Sequence, residues 1–324
     1  MIKNTPLNEL YDILIVGGGP VGSYCAYLAK EKGLKILLIE ATSKTGGQPL
    51  HLFGHKMITD YPSYQSILGS ELIEHINKQL ESSNPNILFN TTLLDFKEDK
   101  GTFICKLNNN SEIYAKNIIF AIGNGIFQPN LLEIPIDNKS NIDYIPKNYE
   151  FYKNKRIIIL GGGDSAVDWT INIARNVSSC DISIIHRRDE FRANGENVKH
   201  LYQFKNINVY LNYSCVEIKK NCLKIIENTT KKIKYVNYDN ILVQYGQKIN
   251  NIDFKFLTQF NTNKFNQFIV NKNQMTNVPN IYAIGNCCFY ESRPNMIITG
   301  HGEASIAVND ILQKIKNYEE HKIT

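Results

Sequence analysis

Apolar residues in this chain gather in short unbroken runs, and glycines fall at the ends of those runs. "YDILIV" is followed by Gly17-Gly18-Gly19, then by the helical pattern "PVGSYCAYLAKEKG", then by a second run, "ILLIE", that ends in Glu40. A continuous Val/Ile/Leu run is what a strand buried on both faces requires, and the amphipathic stretch between two such runs is long enough to be a crossover helix. The spacing over residues 11–40 therefore predicts a βαβ unit with parallel strands. The order recurs over residues 156–188: "RIIIL", Gly161-Gly162-Gly163, a helical pattern through "DSAVDWTINIARN", and "DISIIHRR".

Between and after these units the pattern changes. Residues 80–120 read as a β-meander: "NILFNTTLLDF" and "TFICKL" as successive strands, a turn at Asn108-Asn109-Asn110, and "EIYAKNIIFAIG" as the return. "NIYAIGNCCFY" reads as a further buried strand and "MIITGHGEASIAVNDILQKI" as a helix. The strands "IIFAIG" and "ILVQYG" flank the second unit and mark two chain crossings, so the expected domains are 1–120 joined with 246–324, and an inserted 121–245. The expected fold class is α/β, with two Rossmann-like ββα three-layer domains, the second inserted into the first.

The glycines carry the first chemical inference. Gly17-x-Gly19-x-x-Gly22 stands between strand and helix: Gly17 permits the tight turn, Gly19 lets the backbone approach a pyrophosphate, and Gly22 lets helix and strand pack closely. The N-terminus of the helix then presents free N–H groups and partial positive charge to phosphates. Gly161-x-Gly163-x-x-Ala166 repeats the arrangement. What closes each unit differs. Glu40 stands where a carboxylate accepts hydrogen bonds from ribose hydroxyls, whereas His186 is followed by Arg187, Arg188 and Arg192. A carboxylate repels a ribose 2′-phosphate and a guanidinium fork grips it. The first crevice is thus expected to take the adenosine of FAD and the second NADPH, with His186 a packing or ribose-stacking residue.

Composition narrows the partners. A net charge of +5 over 324 residues is too weak and dispersed for nucleic acid, yet it suits an acidic protein partner. No stretch approaches the roughly 18 apolar residues of a membrane span and no apolar leader opens the chain, so a cytoplasmic location is expected. The cysteines at 25, 105, 180, 215, 222, 287 and 288 include no C-x-x-C spacing, which fits reduced core thiols. Cys287 and Cys288 are read as packing residues whose side chains diverge on a strand. No metal-ligand cluster stands out.

On Gly46-Gly47-Gln48, "KMITDYPSY", "GNGIFQP", "LGGGDSAVDW", "IIHRRDEFRA" and "TGHGEASIAVND", the chain resembles the thioredoxin-reductase-like class of ferredoxin (flavodoxin):NADP reductases over nearly its whole length. Thioredoxin reductases carry a redox-active C-x-x-C just before the second glycine turn. Here no cysteine occurs from 106 to 179, which excludes disulfide reduction by that route. The resemblance implies electrons passing from NADPH through flavin, singly, to ferredoxin or flavodoxin, with the flavin rather than any side chain supplying the chemistry, and a homodimer. It implies FAD contacts from Gly47, Gln48, Phe53, Leu93, Phe127 and Asn286 besides Glu40, and NADPH contacts from Ser165 besides the arginines. Phe53 stands for the family's flavin-stacking tyrosine, Asn286 for its aspartate, the tail after Asp310 is short for flavin shielding, by Tyr318 or His321, and segment 136–154 departs from the family pattern. Two other readings stay open: an NAD(P)H oxidase or diaphorase of the same fold, and a flavin-binding sensor without catalysis.

Overall fold

The computed structural model describes residues 9–51, 54, 56–250 and 255–323. They fall into two compact units, Met1–Ile126 with Asn250–Thr324, and Phe127–Ile249.

The first unit begins with strand β1 (Leu10–Val16), helix α1 (Pro20–Glu31) and strand β2 (Ile36–Ile39). Pro20 at the first helical position suits the start of α1, since its missing N–H is one that no helix can satisfy there. Gly33, at φ +80, follows the helix in the left-handed conformation that commonly ends one. The buried face of α1 is made of Gly22, Ser23, Cys25, Ala26 and Ala29, small enough for the helix to lie close on the sheet. Next come a short helix α2 (Gly47–His51), helix α3 (Gly69–Ser82) and strands β3 (Asn86–Leu88), β4 (Leu93–Asp99), β5 (Thr102–Leu107) and β6 (Glu112–Phe120).

The meander is β4–β6 alone. Asn86–Leu88, expected as part of its first strand, instead joins the parallel sheet beside β2, with Leu38 opposite Ile87. A bend at Phe89–Asn90 separates the two, and "NILFNTTLLDF" is two strands at opposite ends of one sheet.

The second unit opens with β7 (Ile142–Asp143), β8 (Arg156–Leu160), α4 (Asp164–Asn176), β9 (Asp181–His186), α5 (Gly195–Leu201) and β10 (Ile207–Leu211). Its parallel sheet runs β7-β14-β8-β9-β10, where β14 is Asn240–Val243. Between β10 and β14 lies an antiparallel meander of β11 (Tyr213–Lys219), β12 (Cys222–Glu227) and β13 (Ile233–Asn237).

The chain then returns to the first unit with β15 (Ile281–Ala283) and the long helix α6 (Ile297–Ile323). The sheet order there is β3-β2-β1-β6-β5-β4, with β15 also on β6. All seven strands form one sheet, and β6 pairs differently along its length: its first half antiparallel with β5 (Cys105 opposite Ile113), and its second half parallel with β15 (Ile118 opposite Ile281). "NIYAIGNCCFY" is accordingly not one strand. Cys287 closes a 3-10 turn at Gly285–Cys287 and Cys288 begins a separate short strand.

Each unit thus has three layers, and each has a core on either side of its parallel sheet. In the first, the helix side packs Ile13, Ile15 and Leu38 against Ala26, Ala304 and Ala307, while the meander side is aromatic, with Phe103, Phe120, Phe256 and Phe268 buried together. In the second, α4 covers Ile157 and Ile159, and the meander covers Ile158 and Leu160. Successive residues of β8 face opposite cores, which is why its sequence is apolar without alternation.

Candidate functional site

In the first unit two of the three fingerprint glycines, Gly17 and Gly22, are required by contact. Gly17 has φ +106, and a Cβ there would fall 2.6 Å from the Ala121 carbonyl oxygen. A Cβ on Gly22 would fall 1.9 Å from the Gly17 oxygen, so only hydrogen lets α1 approach the turn. Gly19 is the N-cap of α1 and supplies no capping side chain. Helix α2 abuts this turn: Gly46 N–H donates to the Gly18 carbonyl at 2.8 Å, and a Cβ on Gly47 would meet Gly19 Cα at 2.9 Å.

Glu40, at the end of β2, is 8% exposed. One carboxylate oxygen accepts the Gly18 N–H at 2.7 Å, and the other accepts both the N–H and the hydroxyl of Thr42 at 2.8 Å. A carboxylate offers about four acceptor sites, so a further donor such as a sugar hydroxyl can still be accommodated. Gln48 is partly buried on α2, with its amide nitrogen 3.9 Å from where a Cβ on Gly123 would stand. Leu93 is wholly buried at the start of β4. Asn286 sits in the 3-10 turn after β15, its carbonyl accepting from Gln267 Nε2 at 2.8 Å. Phe53 lies outside the described residues, as do the side chains of Phe127, Tyr318 and His321.

The second unit repeats the turn with different neighbours. Gly161 has φ +154, and a Cβ there would fall 2.4 Å from the Gln244 carbonyl oxygen. Gly163, the N-cap of α4, faces open space. Ser165, in the first turn of α4, donates its hydroxyl to Gln244 Oε1 at 2.8 Å, leaving its lone pairs free to accept. His186 ends β9 with its ring against the turn: a Cβ on Gly162 would fall 2.3 Å from Nδ1. Phe191 stacks on that ring at 5.8 Å.

Arg187, Arg188 and Arg192 follow, all exposed. Their backbones are clamped while their side chains stay available. Arg192 N–H donates to the Gly162 carbonyl at 2.8 Å, the Arg188 carbonyl accepts from Asn212 N–H at 2.7 Å, and the Arg187 carbonyl accepts from Asn228 Nδ2 at 2.7 Å. Among the described residues none of the three guanidiniums sits in an ion pair. Burial, and then the charges of Arg192, Arg188 and Arg187, push the His186 imidazole below its usual pKa. His186 is therefore neutral at pH 7, and its Nε2 is buried with no hydrogen-bond partner among the described residues.

The buried cysteines are held as thiols. All seven cysteines are free, and burial pushes the Cys287 thiol up to about 11 and Cys25 and Cys105 to about 12, away from the thiolate that disulfide exchange requires. No group of His, Cys, Asp and Glu suited to a metal ion occurs among the described residues, nor any helix long and apolar enough to cross a membrane.

Several residues here carry no local signal. Glu303 of α6 accepts the Gly285 N–H at 2.7 Å and pairs with Arg293 at 2.6 Å, both side chains almost fully buried. His301 donates from Nε2 to the Pro20 carbonyl at the start of α1, so its Nδ1 accepts from the Tyr61 hydroxyl, each at 3.2 Å. Gln244 is the partner of Ser165 across the second crevice.

Residues 11–304 match the family model for pyridine nucleotide-disulphide oxidoreductases. The chain is 37% identical over 320 residues to the ferredoxin–NADP reductase of Malacoplasma penetrans, covering 96% of this chain and 98% of that protein. It is 36% identical to the enzyme of the same name from Streptococcus sanguinis, covering 98% of each. Among solved structures, the thioredoxin reductase of T. acidophilum shares the fold at TM-score 0.70 and 20% identity, and that of Lactococcus lactis at TM-score 0.67 and 24%, each covering 94% of this chain and 98% of its own. With two glycine crevices, an acid closing one and arginines the other, the chain belongs to the pyridine nucleotide-disulphide oxidoreductase family, in its ferredoxin–NADP reductase branch.

Proposed function

We propose that the protein is an FAD-dependent oxidoreductase that takes electrons from NADPH and delivers them to a one-electron protein carrier, ferredoxin or flavodoxin. One observation carries the reading. Three exposed guanidiniums with no ion-pair partner among the described residues follow the buried His186 at the strand end beside the second glycine turn, while a carboxylate occupies the matching place in the first. The residues fit both cofactors: Gly163 opens onto free space where a phosphate would lie, the Glu40 carboxylate keeps an acceptor site, and a buried nitrogen of His186 lacks a partner.

FAD, when bound, supplies the conversion between a two-electron donor and one-electron acceptors. The protein's part is to bind and orient. Gly17, Gly19 and Gly22 admit the pyrophosphate to the α1 N-terminus, Glu40 takes the adenosine ribose, Leu93 offers backbone to the adenine, and Gln48, Phe53, Phe127 and Asn286 surround the flavin end. Gly161, Gly163 and Ser165 seat the NADPH pyrophosphate, and Arg187, Arg188 and Arg192 grip the 2′-phosphate. The meander β11–β13 bears six lysines and two glutamates, four of the chain's five net positive charges, which supports an acidic carrier. A homodimer in the cytoplasm completes the reading.

Anaerobic mixing with NADPH is the test. NADPH is expected to bleach the flavin far faster than NADH at equal low concentration, and cytochrome c reduction is expected to require added ferredoxin or flavodoxin. Equal rates with both coenzymes would sink the arginine assignment. Rapid reduction of quinones or oxygen without a carrier would favour the oxidase or diaphorase.

A further inference from the structure

We propose that His51 is a further binding residue of the first crevice, its Nε2 hydrogen-bonding the pyrophosphate of the bound dinucleotide. The inference rests on the flavin reading of that crevice and deepens it. Helix α2 is placed by the glycine turn itself, through the Gly46–Gly18 hydrogen bond and the contact of Gly47 with Gly19. It therefore lies beside the α1 N-terminus, where a pyrophosphate belongs.

His51 is three residues beyond Gln48, and residues three apart share a helix face. The Gln48 amide reaches toward Gly123. Leu50 points elsewhere, packing on Gly46 and Ile73 in a separate apolar cluster with Leu72 and Ile76. His51 thus belongs to the crevice face of α2, and its Nε2 is buried with no hydrogen-bond partner among the described residues. The charged groups bearing on the ring are Lys44 and Glu40, the latter being the crevice's own acid. Burial and then Lys44 lower the imidazole pKa, and Glu40 raises it. The ring is neutral at pH 7 and can present one N–H as a donor. A buried donor without a partner is costly, and an anionic oxygen is the partner that repays it most.

The test titrates the full chain, stripped of flavin, with FAD and separately with ADP, which keeps the pyrophosphate and lacks the flavin. His51→Ala is expected to weaken both roughly tenfold, the loss of one hydrogen bond to a charged group. His51→Gln, which retains an N–H donor, is expected to stay within about threefold of wild type. Unchanged FAD and ADP affinities in His51→Ala, or equal losses in both variants, would overturn the assignment and leave the flavin reading standing. A wild-type chain that takes up neither FAD nor ADP would overturn both.

Discussion

Glu303 holds the Gly285 amide. Its Oε2 accepts that N–H at 2.7 Å while Arg293 grips both carboxylate oxygens, at 2.6 and 3.1 Å, and Tyr290 donates to Oε1 at 3.0 Å. Gly285 has φ +73 and directly precedes Asn286. The buried carboxylate therefore fixes a left-handed turn whose next residue is proposed to meet the flavin.

Removing that carboxylate strands a buried guanidinium and a buried amide together. Glu303→Leu is expected to lower stability by about 3–5 kcal/mol, and Arg293→Met with Glu303→Leu together by less than the two single losses added. Denaturant unfolding of the four proteins in this cycle checks it. A single-variant loss below about 1 kcal/mol would show that the pair is not structurally required.

On the proposed reading the arginines select the coenzyme and contribute little to folding. Arg187→Ala and Arg192→Ala should each raise the Kd for NADPH by roughly 10- to 100-fold, the worth of a charge-assisted hydrogen bond, and change the Kd for NADH little. Their exposure predicts nearly wild-type thermal stability. Fluorescence titration with both coenzymes distinguishes a phosphate grip from a general loss of binding.

Glycines that look alike in the two motifs should differ in what they tolerate. A methyl at Gly22 collides with the Gly17 carbonyl oxygen, so Gly22→Ala should cost about 1–3 kcal/mol or more, because backbone cannot rotate aside. Gly163 has open space and extended φ −93, ψ 179, so Gly163→Ala should cost only about 1 kcal/mol or less as an N-cap change, yet still weaken NADPH. Paired unfolding curves and NADPH titrations would reveal whether the two effects separate.

Two buried histidines make stability fall in mild acid. Burial lowers the pKa of His301, and burial with three arginines lowers that of His186. The unfolded chain then binds protons at a higher pH than the folded one, so stability drops as pH falls through the ordinary histidine value near 6.5 and levels off below the folded pKa values. Unfolding free energy should be lower at pH 5.5 than at 7.5, and His301→Gln should flatten the difference. A flat profile in the wild type would contradict the burial argument.

What could be read along the chain was whatever a short window contains. A βαβ unit keeps strand, glycine turn, helix and closing charge within about 30 residues, so the glycine positions, the strands β1, β2, β8 and β9, and the contrast of Glu40 with Arg187, Arg188 and Arg192 all follow from local sterics and charge. Strand partners do not. "NILF" has the composition of a meander strand and of a parallel one, and only the open edge of β2 decided that Asn86–Leu88 would pair there. The vicinal cysteines likewise sit in a turn and a short strand because Gly285 bends the chain between them and β15.

The amino-acid sequence by itself thus determined the two crevices and the charge each one presents, since both are properties of contiguous backbone. Tertiary structure alone decided which distant groups complete them: Gln244 reaching Ser165 across 79 residues, Glu303 reaching Gly285 across 18, and His51 left with a buried nitrogen and no protein partner among the described residues. Desolvation and hydrogen-bond pairing depend on what packs nearby in space, and no window along the chain contains that information.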